Sequence, residues 1–428
     1  MASTWWSEQL RLPQAQRSPM MQALPSKSPS MLPAPSIPPV TPPAAGRNPG
    51  IDLLRGLAIV LVVLNHIGLR IPLKKTALAE VLPGWLLSRL NYNGYEAVFV
   101  FFVISGFLIA GNALRRWGSL GQIDMRAFYA RRFARIVPCL LALVAVLSVL
   151  HLLAIPDYTI ARAGQSLPRA IFAALGLHLN WYEGRTGYLP GNWDVLWSLS
   201  IEEVFYLGFP LACLLTRRSR VLAPLLVLLA LSMPWTHAAL RGNEIWQEKA
   251  YLPGMSAIAI GVLGALLAAR SRVPSARTTA LLGWLGAIGL VATTICGASM
   301  WHLLRDGYML LLALSVLCLL LACEQRQRRG EWRSWRSMNW LRSWGRLSYE
   351  IYLSHMFVVF AVVRLFKLTG GDLRPGFLWY LLTLPLCWLL GAAVERWLSL
   401  PCERWLRARL LSAPAAITPR QPATAVAD

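Results

Sequence analysis

Long runs of apolar residues dominate the chain, and each run ends where arginine, proline or small polar residues gather. The stretch 52–70 is typical, with Leu, Ile, Val and Ala broken only by a few polar positions. A run of about 20 such residues crosses the hydrocarbon core of a bilayer as a helix. The pattern predicts about ten spans: 52–70, 95–113, 136–155, 196–215, 221–237, 251–269, 279–300, 307–323, 347–367 and 377–399. The expected fold class is therefore an all-α polytopic membrane protein, a bundle of transmembrane helices surrounded by the lipid bilayer.

The polar positions between runs carry a second pattern. Arg115, Arg116, Arg126, Arg131, Arg132 and Arg135 follow the second run, and Arg217, Arg218 and Arg220 follow the fourth. Arg270, Arg272 and Arg277 follow the sixth. The eighth is followed by Arg326, Arg328, Arg329, Arg333, Arg336, Arg342 and Arg346, and the tenth by Arg404, Arg407 and Arg409. The alternate connections are poorer in base. Cytoplasmic loops hold the excess of Lys and Arg, so an even number of spans puts both termini in the cytoplasm.

Composition agrees with this reading and removes a rival. Only 14% of residues are charged and 56% are hydrophobic, whereas soluble chains carry roughly a quarter charged residues. The net charge of +22 belongs to the basic loops, and no nucleic acid partner is expected, since no DNA- or RNA-binding signature accompanies it. The seven cysteines, Cys139, Cys213, Cys296, Cys318, Cys323, Cys387 and Cys402, form no C-x-x-C pair. They read as packing residues, and no metal site is expected.

Residues 1–48 are rich in Ser and Pro and predict a disordered cytoplasmic tail, without the apolar core and cleavage site of a signal peptide. One transmembrane domain is expected over 49–405, followed by a short cytoplasmic tail, 406–428. The long outer connection 156–195 holds Trp181, Tyr182, Tyr188, Trp193, Asn180, Asn192 and Asp194. Such aromatics either anchor spans at the interface or form a platform for a sugar. A short re-entrant or interfacial helix is expected within 166–180. The expected location is the inner (plasma) membrane, and oligomeric state is not legible.

Ionisable residues inside spans are costly and mark candidate chemistry. Arg55 and His66 share one helical face, about 16 Å apart along the axis. His66 reads as a general base, or as a histidine bonded to a backbone carbonyl. Arg55 reads as an anion contact, as a partner of Asp52, or as a snorkelling flank. Arg132 and Arg135 are neighbours on a helix and read either as a basic flank or as a phosphate clamp. Glu202 is placed at a depth similar to His66, where a carboxylate orients an imidazole, with Glu203 the weaker choice. Tyr352 and His355 share a face near mid-depth, as a second polar site or as a structural hydrogen bond.

Taken together, Arg55-x10-His66, Phe101-Phe-Val-Ile-Ser-Gly-Phe-Leu-Ile109, Arg132-Phe-Ala-Arg135, Trp197-Ser-Leu-Ser-Ile-Glu202 with Phe205-Tyr-Leu207, Ser348-Tyr349 with Tyr352-Leu-Ser-His355, and Glu395-Arg396 resemble the membrane-bound acyltransferase-3 family. The resemblance runs from about residue 50 to 405, and it is to the form without a C-terminal SGNH hydrolase-like domain. It implies O-acyl transfer, normally of acetyl, from cytosolic coenzyme A to a hydroxyl of an extracytoplasmic carbohydrate such as O-antigen, lipopolysaccharide or exopolysaccharide. On that reading His66 is the base, Glu202 orients it, and Arg55 contributes to catalysis. Arg132, Arg135 and Arg55 hold donor phosphates. Asn192, Trp197, Ser198, Tyr206, Tyr352 and His355 line the acceptor side. No tightly bound cofactor is implied, because acetyl-coenzyme A enters as a co-substrate. Two places depart from the family pattern: Tyr95-Glu-Ala-Val-Phe, where many members have an Asp before the Phe pair, and Pro253-Gly-Met-Ser-Ala, where many open the span with an Arg/Asp pair. The rival class is a multi-span transporter or exporter, whose inverted repeats and matching broken spans are not evident here.

Overall fold

The computed structural model describes residues 47–216, 219–270, 274–331 and 336–411. The predicted tail over 1–46, the end of the chain from 412, and Arg217, Arg218, Arg272 and Arg333 of the basic loops lie outside the described residues. Among those described there are helices and turns but no strand. Ten helices are long and apolar enough to cross a membrane. They are α1 (Pro49–Gly68), α2 (Gly94–Trp117), α3 (Met125–Leu152), α4 (Gly191–Thr216), α5 (Val221–Ala238), α6 (Glu244–Arg270), α7 (Ala276–Ile295), α8 (Gly297–Arg328), α9 (Ser348–Leu368) and α10 (Leu378–Leu411). The chain is thus an all-helical, multi-pass membrane protein, because hydrocarbon leaves backbone polar groups no partner outside the helix itself.

Hydropathy located every span but misjudged several ends. Helix α3 begins at Met125, not 136, because the Asp124 side chain accepts the Ala127 N–H at 3.0 Å and caps a turn made of basic residues. Arg131, Arg132 and Arg135 are therefore helical, with Pro138 inside the same helix. Helices α4 and α6 also start earlier than predicted, at Gly191 and Glu244. In the connection before α4, the single helix expected within 166–180 is two, Leu167–Leu175 and Leu179–Thr186. They break at Leu177, whose φ of 59° is incompatible with a continuing helix.

Close helix contact is built on glycine. Helices α2 and α6 pack along their length, with Gly106 against the Ile258 carbonyl and Gly261 against the Val103 carbonyl. Small residues let membrane helices approach closely, since lipid offers no hydrophobic drive for association. A Cβ at either position meets backbone, which cannot rotate away. Gly106→Val is expected to lower stability by about 1–3 kcal/mol or more through overpacking. Thermal denaturation in detergent measures it, and an unchanged midpoint would show that the interface yields. The short helix Asn339–Arg346 uses the same device on α1, with Gly56 against Leu341 and Gly345 against Asp52.

Candidate active site

The first element to consider is α1. Asn48 caps it by accepting the Gly50 and Ile51 N–H groups, and Pro49 opens it with its fixed φ. Asp52 in the first turn is taken by Arg47 at 2.7 Å, so it does not neutralise Arg55. Arg55 makes no hydrogen bond or ion pair among the described residues. Its charged surroundings are Arg47 and Arg135, with Asp52 and Glu350 opposing them. Glu350 is buried; its Oε1 accepts from the Ser399 hydroxyl at 2.8 Å and its Oε2 meets no donor. Ser399 reaches Glu350 from a widened π-turn, Glu395–Ser399, inside α10.

His66 lies near the other end of α1. Its backbone carbonyl accepts from Arg70 at 2.8 Å, and its ring packs on His355 of α9, centroids 5.1 Å apart and tilted by 48°. His355 is fully buried, with Nδ1 2.8 Å from the Tyr352 carbonyl and 3.1 Å from that of Ile351. The Tyr352 hydroxyl lies 2.7 Å from Ser198 and donates to the Val195 carbonyl at 3.0 Å. Five of the expected residues, His66, His355, Tyr352, Ser198 and the neighbouring Trp197, therefore meet at the junction of α1, α4 and α9. Trp197 sets its ring edge-on to Phe102, and its carbonyl accepts from Asn180 at 3.2 Å. Asn192 is buried beside the Tyr158 hydroxyl.

Glu202 sits elsewhere. Its charged neighbours are Arg132 and Arg55, and Ser105 lies beside it. No hydrogen bond joins Glu202 to His66 among the described residues, and the ring packed on His66 is that of His355. Glu202 instead joins a polar group in which the Arg132 guanidinium lies 4.0 Å from the centre of the Tyr206 ring and the Tyr206 hydroxyl bonds Ser105. Arg135 faces Tyr349 and reaches Glu403 at 3.5 Å. The two arginines therefore share a helix but serve different neighbours, and only Arg132 is without an ion-pair partner among the described residues.

Arg55, His66 and Glu202 are enclosed by helices, each with part of its surface uncovered. Such an interior holds a free guanidinium, ready for an anion, and an imidazole, which takes a proton from a hydroxyl at neutral pH.

One cluster was only half read from the sequence, which singled out Tyr188 and Asp194 but neither Lys249 nor Glu183. Lys249 is buried and ion-paired to Glu183 at 2.8 Å and to Asp194, with Tyr188 under its ammonium at 4.3 Å. Burial, with Asp194 adding to it, pushes the Glu183 carboxyl well above its usual range, while Lys249 and the Leu189 N–H hold it down. The available signal was a lysine among acidic residues at the start of an apolar run, Glu244 to Lys249.

Comparison with known proteins bears on this geometry. A family model described as an acyltransferase domain (acyltransferase-3) matches residues 48–394. The chain is 30% identical over 174 residues to the O-acetyltransferase OatA of Staphylococcus aureus (strain NCTC 8325 / PS 47), a match covering 38% of this chain and 24% of that protein. A putative O-acetyltransferase of Staphylococcus aureus (strain COL) is 31% identical over 167 residues, with the same 38% and 24% coverage. The matched part thus spans about a quarter of the length of these relatives. No solved structure matches.

Proposed function

The chain belongs to the acyltransferase-3 family, and from that premise we propose that it transfers an acyl group, acetyl by default, from coenzyme A to a hydroxyl of an extracytoplasmic carbohydrate. The carrying observation is the pair on α1, with Arg55 unpaired among the described residues at one end and the partly covered His66 eleven positions further along the same face. The arginine-rich end is assigned to the cytoplasm by the positive-inside rule, and both termini with it. The location that follows is the inner (plasma) membrane. OatA, of which this chain matches a part, is named an O-acetyltransferase, and that supports the acetyl assignment.

The donor phosphates are assigned to Arg55 and Arg132, whose guanidinium forks match phosphate oxygens, with Arg135 at the rim. The thioester arm then runs along α1 toward His66. There the acceptor O–H bond breaks as its proton passes to the His66 imidazole, and the oxygen bonds to the thioester carbonyl carbon. The C–S bond breaks and the thiolate takes the proton from His66. Tyr352, Ser198, Trp197 and Asn192 are assigned to the acceptor side, and Tyr206 with Glu202 to the donor path. A closed interior protects the thioester from water.

Protein purified into vesicles and given radiolabelled acetyl-coenzyme A tests this reading. An acyltransferase releases coenzyme A and passes label to a glycan acceptor or slowly to water. A carrier leaves the thioester intact, and that outcome overturns the proposal. In the same assay Arg55→Ala and Arg132→Ala are each expected to weaken donor binding about tenfold to a hundredfold, the worth of a charge-assisted hydrogen bond. Unchanged donor affinity in both variants removes the phosphate assignment.

A further inference from the structure

His355 is bonded in a way that leaves it one task. Its Nδ1 lies 2.8 Å from the Tyr352 carbonyl and 3.1 Å from the Ile351 carbonyl. Carbonyl oxygens only accept, so Nδ1 carries the hydrogen and Nε2 of the neutral ring is a bare lone pair. That nitrogen is buried and meets no donor among the described residues. An unmet buried acceptor is costly, so its persistence calls for a donor that arrives.

The neighbours narrow the choice. The single proton of the Tyr352 hydroxyl goes to the Val195 carbonyl, and Ser198 donates to that hydroxyl in turn. Cys387 points at the His355 carbonyl. Arg70 is engaged with the His66 carbonyl and the Phe360 ring. Lys249 is held by Glu183 and Asp194. The Tyr92 hydroxyl is spent on the Gly68 carbonyl. What packs directly on the His355 ring, besides Tyr352, is His66, with centroids 5.1 Å apart. No ring nitrogen of His66 is engaged by any described residue.

We infer that His355 is the positioning residue for His66. The two rings are packed together without a hydrogen bond between them in this structure; a turn of the His66 ring brings one of its N–H groups onto the His355 Nε2, so the other nitrogen presents its lone pair to the acceptor hydroxyl. This rests on the reading of His66 as the base. When the hydroxyl proton moves to His66, the imidazolium keeps its N–H directed at His355 Nε2. His355 remains protonated at Nδ1 throughout, and the transferred proton leaves with the thiolate. A neutral imidazole anchored to backbone thus does what a carboxylate does in a hydrolase triad: it fixes the tautomer and steadies the cation. A neutral partner avoids placing a buried negative charge beside the thioester.

The experiment compares the parent with His355→Phe, His355→Gln and His66→Ala in vesicles, following coenzyme A release from acetyl-coenzyme A against pH. His355→Phe keeps a ring but no acceptor, and is expected to lower kcat about a hundredfold with the donor KM nearly unchanged. Because His355 stabilises the protonated form of His66, its loss moves the acid limb of the profile to lower pH. His355→Gln restores an acceptor and is expected to recover about tenfold of the loss. Nitrogen NMR of histidine-labelled protein gives a readout independent of turnover: the His66 signals shift from one dominant tautomer to a mixture in His355→Phe. Equal impairment of the Phe and Gln variants with an unmoved acid limb and unmoved His66 signals overturns the inference. So does a fully active His355→Phe variant when His66→Ala is inactive. Activity persisting in His66→Ala overturns the underlying base assignment instead.

Discussion

Exchanging His66 for alanine is expected to lower acyl transfer about a thousandfold while the helix bundle stays assembled. A general base contributes about 10² to 10⁴ in rate, and no nearby group is placed to substitute. Glu202 has Arg132, Ser105 and Arg55 as its neighbours and makes no hydrogen bond to His66 among the described residues. The His355 lone pair is fully buried, and the Tyr352 hydroxyl is committed to Val195. The fold, by contrast, asks little of the His66 ring. The Arg70 bond uses the backbone carbonyl, which alanine retains. The ring is only partly covered and makes no hydrogen bond among the described residues, so truncation removes no polar partner. Transfer of labelled acetyl and a melting curve in detergent, measured on the same preparation, separate the two effects. A variant that turns over at the parent rate removes His66 from the chemistry. One that is inactive because it has unfolded shows that the ring is structural.

The fold was legible because a bilayer admits few solutions. Once a run is long and apolar, helix is the only way to satisfy its backbone, so the spans could be located from hydropathy. Their ends were less legible, because polar residues set them. Asp124 starts α3 among arginines that hydropathy reads as loop, and Gly191 starts α4 before the apolar run begins. Arg55 and His66 were readable because both lie on one helix, where spacing fixes the shared face. The contact of His66 with His355 was not, because it depends on how α1 and α9 are rotated against each other. Packing sets that rotation, partly through Gly56 of α1 and Gly345 of the adjoining short helix.

Lys249 is where a substitution is expected to cost the most stability. Its ammonium joins three separate pieces of chain: α6, which carries it; the helix Leu179–Thr186, which carries Glu183; and the start of α4, which carries Asp194. Removing one partner of a buried ion pair leaves the other uncompensated and costs about 3–5 kcal/mol. Lys249→Met keeps most of the apolar stem and removes the charge, so the loss reports the ion cluster more than the packing. Two carboxylates then face each other with no cation between them, and Glu183, fully buried, is the one that takes up a proton. Adding Glu183→Gln to Lys249→Met removes one of those charges and is expected to recover part of the stability. That recovery separates an electrostatic cost from general damage. The cluster also braces the site, since the Asn180 side chain donates to both the Lys249 and the Trp197 carbonyls. Partial melting of this corner is therefore expected to lower transfer before the bundle as a whole unfolds. Thermal denaturation of the single and double variants, followed in parallel with coenzyme A release, measures both. A Lys249→Met protein that melts with the parent would mean that water already solvates the two carboxylates, and the ion cluster would then hold nothing together.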